Sequence, residues 1–168
     1  MKKKVNISTL SNKELLDLIK TLESTEYNRV WVSEDKNKEI WKELKIRIEV
    51  FLRIKNRVHK KYYHTNIYPS PYCKSERCTI EYAYILTSKA AKRFEVTIRC
   101  EECDAHAAWC YCEYIRISDF CNPNFELEYS KEQKEKRLEY LDAAIEKKLV
   151  QMGALLAEQD KIKKEEGD

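Results

Sequence analysis

Two short segments set thiols at the spacing of metal ligands: Cys73 and Cys78 in PYCKSERC, and Cys100 and Cys103 in RCEECDAH. Two sulfurs a few residues apart within one turn can converge, and two such turns supply the four-thiolate tetrahedron that suits zinc. The intervening residues read as two strands, CTIEYAYIL and KRFEVTIRC around TSKAA, and a hairpin there would bring the turns together. This is the spacing of a zinc ribbon, an architectural likeness over about residues 73–121. His106, Cys110, Cys112 and Cys121 are rival ligands, and Cys100, Cys103 and His106 with one later cysteine make an equally sound set. A plainer alternative leaves these thiols reduced and buried as small apolar side chains. Four protein ligands close a metal's coordination sphere, so the expected role of Zn2+ is structural, with no position for a reactive water.

Catalytic chemistry finds little support. The chain has two glycines, Gly153 and Gly167. Backbone that closely approaches a phosphate needs glycine, which excludes the P-loop, the dinucleotide-binding turn and the nucleophile elbow. His59, His64 and His106 are followed two positions on by Lys61, Asn66 and Ala108, so the His-x-Glu of a zinc deaminase is missing. Glu43-Leu44-Lys45 has a nuclease-like spacing but sits in a helical pattern with Leu44 on the apolar face, and reads as a solvated helix flank. The expectation is a protein that is not an enzyme.

A second constellation is electrostatic. From Val50 to Ser75 no residue is acidic, while Arg53, Arg57, Lys60, Lys61 and His64 fall on one side of a helical segment, followed by Tyr62 and Tyr63. Cations in a row suit phosphates, and tyrosines offer bases a stacking surface. The same face could equally be solvated, or could partner the carboxyl-terminal segment, where residues 126–168 hold 12 acids against 9 bases. The formal charge of +3 therefore hides a polarised chain.

The elements that must position these groups read as an α+β fold: two N-terminal helices, a small three-stranded antiparallel zinc-ribbon-like sheet, and a long C-terminal helix. Ser11 and Glu14 form a capping box ahead of Leu15, Leu16, Ile19 and Leu22 at helical spacing. Val30-Trp31-Val32 is a brief extended piece. Residues 36–62 lack Gly and Pro and form a helix apolar on two sides (Trp41, Leu44, Ile48, Phe51 and Val58; Ile46, Val50 and Ile54), which must be covered on both. WCYCEYIRI is the third strand. Ser130 and Gln133 look like a capping box opening the last helix, which Gly153 ends or bends. In that helix Leu138, Leu141, Ile145, Leu149, Met152 and Leu156 form a heptad-like seam, read either as packing on the long helix or as a homodimer surface through residues 138–156. The segments are 1–65, helical; 66–128, the cysteine-rich β module; and 129–168, helical; together they are read as one domain.

No apolar run reaches about 18 residues, so no membrane span is expected, and the basic amino end lacks a signal-peptide core. A cytoplasmic location follows, where thiols stay reduced. The leading expectation is a zinc-stabilised, non-enzymatic binding protein acting on nucleic acid or a nucleic-acid-handling complex. A mobile-element (phage) regulator or inhibitor of a host nuclease or defence system is its narrower form. The alternative is a scaffolding protein that homodimerises through its C-terminal helix.

Overall fold

The computed structural model describes residues 6–22, 28–63, 78–100 and 111–165. Ser11 opens α1 (Asn12–Lys20) as the sequence predicts: its side chain accepts from the Glu14 N–H, and the Glu14 carboxylate accepts from the Ser11 N–H at 2.7 Å. Bonds donated to the charged form hold Glu14 below the ordinary carboxylate pKa. A left-handed Asn28 (φ 56°), whose carbonyl accepts from the Thr87 N–H and hydroxyl, leads into β1 (Arg29–Ser33). Next comes α2 (Glu34–Tyr63), interrupted by non-helical geometry at Asn37. β2 (Cys78–Leu86), β3 (Arg93–Cys100) and β4 (Tyr111–Arg116) form an antiparallel meander, followed by α3 (Ile117–Phe120) and α4 (Phe125–Glu165).

The sheet has four strands in the order β1-β2-β3-β4, not the three expected. The extended piece at Val30-Trp31-Val32 is an edge strand, with Val30 opposite Ile85 and Val32 opposite Ala83. Nor is the sheet a zinc ribbon. Its inner face is hydrocarbon (Val30, Val32, Ile80, Ala83, Ile85, Phe94, Val96, Ile98 and Ile115, each at most 2% exposed), and it shares one core with Leu15, Leu16 and Ile19 of α1 and Trp41, Leu44 and Ile48 of α2. Each of these side chains larger than alanine contributes about 1.5–3 kcal/mol by leaving water, a driving force that small metal-stapled sheets lack.

Alternation along β2 breaks at Glu81, where the register with β3 shifts: Ile80 pairs with Ile98, but Tyr82 pairs with Thr97. The extra residue puts Ile80, Ala83 and Ile85 on the inner face and turns Tyr82 and Tyr84 to the outer one.

α4 starts earlier than the sequence predicts. Ser130 lies inside it, and Asn122-Pro123-Asn124 makes its entry: Asn122 Oδ1 accepts from the Asn124 N–H at 2.9 Å, and the Asn124 carbonyl accepts from the Glu128 N–H. Its first turns are anchored by a chain of rings running Phe94–Phe120–Phe51–Phe125–Tyr129, with centroids 4.4–5.7 Å apart. Burial pushes the Tyr129 hydroxyl up to about 12. Past Gln133, itself 4% exposed, the helix leaves the body and runs through Gly153 without ending. At 41 residues it is about 60 Å long. The seam therefore does not pack on α2. α2's second apolar side is covered only in part: Ile46 and Val50 stay half exposed beside an open groove.

Candidate functional site

Helices α1 and α2 pack on one face of the sheet. The other face carries its own pattern, set by strand alternation and the Glu81 bulge. Register places Trp31, Tyr84, Glu95 and Tyr114 in one row across all four strands, with Tyr82, Thr97 and Cys112 in the next. The rings of Trp31, Tyr82 and Tyr84 contact one another at centroid distances of 5.2–6.2 Å. Around them stand cations: Arg29 lies 5.0 Å over Tyr84, Arg93 lies 4.6 Å over Tyr114, and Lys36 lies 4.2 Å over Trp31. Tyr114 is 52% exposed, and the side chains of Arg99 and Arg116 are 58% and 63% exposed. Arg116 donates to Asp119 at 2.9 Å, and Arg99 is 3.6 Å from Glu81. Ionic contacts so open to water hold their partners weakly. The Trp31 indole N–H is buried without an acceptor among the described residues.

A surface of exposed rings and guanidinium groups offers stacking contacts to bases and charge to phosphates, and Glu95 in its midst can accept from a base amino group. Among the described residues of this face the thiol is Cys112, 3.8 Å from the Thr97 hydroxyl, and burial pushes its pKa up, the reverse of what an attacking thiolate needs. Burial also raises the Cys121 thiol, which packs at the core margin below α3.

Of the cysteine set, Cys73, Cys103, His106 and Cys110 lie outside the described residues, as does His64. For Cys78 and Cys100 the backbone is described: they are register partners, first residue of β2 against last residue of β3. Directly opposed residues in an antiparallel pair have Cα atoms about 4.5–5.5 Å apart. The segments carrying Cys73 and Cys103 therefore attach at the same end of the sheet. β4 begins there too, with Tyr111, next to Cys110, opposite Ile98. Cys112, the second residue of β4, lies opposite Thr97 on the outer face, and Cys121 caps α3 at the core margin. Among the described residues no group of three or more His, Cys, Asp or Glu could hold a metal ion.

The basic stretch of α2 divides. Arg53 is 75% exposed, and Lys60 and Lys61 are exposed. Arg57 instead pairs with Glu126 of α4, and Lys55 pairs with Glu113 of β4. Tyr62 is half-buried against the core with Lys61 over its ring, and Tyr63 stacks on His59 at 4.8 Å. Part of this face thus meets the acidic start of the C-terminal helix. Glu43, of the Glu-x-Lys spacing, is taken by Arg47 at 2.8 Å, and Leu44 is fully buried.

The outer face went unremarked in the sequence because strict alternation from Ile80 turns Tyr82 and Tyr84 inward. The signal was present in β3 and β4, where Arg93, Glu95, Thr97 and Arg99 alternate with apolar residues, and Cys112, Tyr114 and Arg116 alternate with Glu113 and Ile115. Among the described residues no helix is long and apolar enough to cross a membrane. No family model, no curated protein and no solved structure matches the chain.

Proposed function

We propose that this chain is a non-enzymatic binding protein for single-stranded nucleic acid, which lies on the outer face of the sheet. The observation that carries the reading is the cross-strand row Trp31, Tyr84, Glu95 and Tyr114, edged by Arg29, Arg93, Arg99 and Arg116. Aromatic stacking contributes about 1–3 kcal/mol per base and tolerates any base, while arginines fix the backbone.

Structural zinc belongs to the same proposal. The opposition of Cys78 and Cys100 supports a site at that end of the sheet, with Cys73 and Cys103 completing it. The ion would supply rigidity where β2, β3 and β4 end or begin. Elemental analysis of protein purified without added metal should give about one zinc per chain, and chelation should lower the melting temperature. A zinc content near zero removes the metal while leaving the nucleic-acid reading standing.

Fluorescence anisotropy with labelled 12-mers of RNA and DNA tests the main claim. Tyr84→Ala and Tyr114→Ala should each weaken binding by about 5- to 100-fold. Arg93→Ala should weaken it and lower the slope of log affinity against log salt by about one. No binding in 50 mM salt, or affinity unmoved by both tyrosine variants, overturns the proposal. Loss confined to a charge-reversed Arg53/Lys60/Lys61 variant would move the site to α2 and reject the sheet face. The narrower reading, an inhibitor of a host nuclease complex, calls for pull-downs from host lysate with and without nuclease treatment, and capture that survives digestion would favour it.

A further inference from the structure

We propose that the distal part of α4 is the interface between two copies of this chain, joined as an antiparallel two-stranded coil. Burial stops at Gln133, yet large apolar residues continue: Leu138, Ile145, Met152, Leu155 and Ile162 are each 50–65% exposed and Leu141 39%. With Leu138 at position a, these six fill a and d sites, and Leu149 and Leu156 widen the stripe at e. Eight side chains at roughly half exposure would hide on the order of 800 Å2 per copy, half the total of a standard stable interface. A soluble monomer rarely shows so much contiguous hydrocarbon.

Charge selects the occupant and its direction. Two polar residues interrupt the seam, Lys148 at d and Gln159 at a. A parallel pair would stack Lys148 on its own copy, two ammonium groups facing each other across an apolar seam. In the antiparallel register that overlaps the whole seam, Lys148 faces Met152 of the second copy and Gln159 faces Leu141 of the second copy. Leu138 then meets Ile162 of the second copy, and Ile145 meets its Leu155. Along the rim Asp142 flanks Lys163 of the second copy, while Arg137 runs along the edge bearing Glu158. The rim suits either direction, since a parallel pair would set Arg137 beside Asp142 and Glu158 beside Lys163, so it is Lys148 that decides for the reversed one. The chain is complementary to itself when reversed.

Sedimentation equilibrium of the full chain between 1 and 100 μM, in buffer free of nucleic acid, tests this separately from the sheet face. A dimer is expected, and Ile145→Lys with Met152→Lys should render it monomeric without moving the thermal transition of the body. Asp142→Lys alone should weaken dimerisation a few-fold, and Asp142→Lys with Lys163→Asp should restore it. In a parallel coil the double swap sets the new ammonium at position 142 against Arg137 and the new carboxylate at position 163 against Glu158, so a further loss there would overturn the antiparallel arrangement. A strict monomer at 100 μM would overturn the interface itself.

Discussion

The first turns of α4 and its last two-thirds are one unbroken helix with one apolar rhythm, but they live in different worlds. Phe125, Tyr129 and Gln133 are at most 9% exposed, on the part of the helix that packs against α2; from Leu138 onward every large apolar side chain is at least 39% exposed. The same contrast appears in charge. Lys55 and Glu113, with side chains 26% and 15% exposed, form a sheltered pair, whereas Arg57 and Glu126 are 67% and 51% exposed. Periodicity says that a face will be covered; only the positions of neighbours say by what.

Substitution should reproduce that contrast. The largest expected effect is Phe94→Ala, which opens a cavity in the ring chain joining sheet and helices and should cost about 3–5 kcal/mol in urea unfolding of the body. Leu149→Ala, 61% exposed, should leave that transition within about 0.5 kcal/mol, and a large loss there would mean that the distal helix is part of the body's cooperative unit. Next, Lys55→Ala should cost about 1–3 kcal/mol by stranding a mostly buried Glu113, against no more than about 0.5 for Arg57→Ala. Equal losses for the two would erase the distinction between sheltered and open pairs.

Gly153→Ala should raise the stability of the distal helix by about 0.5–1 kcal/mol, since an added Cβ meets nothing within 4 Å and only backbone entropy changes. Amide exchange near residue 153 is the measurement, and the body's melting temperature should stay put. The smallest effect is acid sensitivity at the α2–α4 junction. Burial holds the His59 imidazole below its usual 6.5, against a hydrogen bond to Gln133 that pulls the other way. The unfolded chain therefore binds the proton first: the contribution is complete above pH 6.5 and is lost as pH falls through the folded value. His59→Asn should flatten the pH dependence of melting in that window, and an unchanged slope would assign it to other groups.

Local chemistry was legible in the sequence. Ser11 and Glu14 cap α1 as their spacing predicts, the meander follows from β-branched and aromatic alternation, and α2 runs through its Gly- and Pro-free stretch. What was hidden depends on partners far along the chain. Val30-Trp31-Val32 is too short to declare itself a strand, and becomes one by pairing with β2 across the length of α2. One extra residue, Glu81, reverses the facing of Tyr82 and Tyr84, and the outer face with it. Ser130 and Gln133 imitate a helix start, but α2 and the ring chain hold Gln133 inside an established helix. For the cysteines, spacing named a set, and register adds that Cys78 and Cys100 stand opposite one another.

The long stretch of chain between β1 and its partner β2 should have a kinetic consequence. β2, β3 and β4 connect neighbour to neighbour and can zip up locally, but β1 docks on β2 only after the chain has closed a loop that includes all of α2. Truncating Val30 and Val32 should therefore accelerate unfolding and leave the refolding rate nearly alone, whereas truncating Val96 or Ile98 should slow refolding.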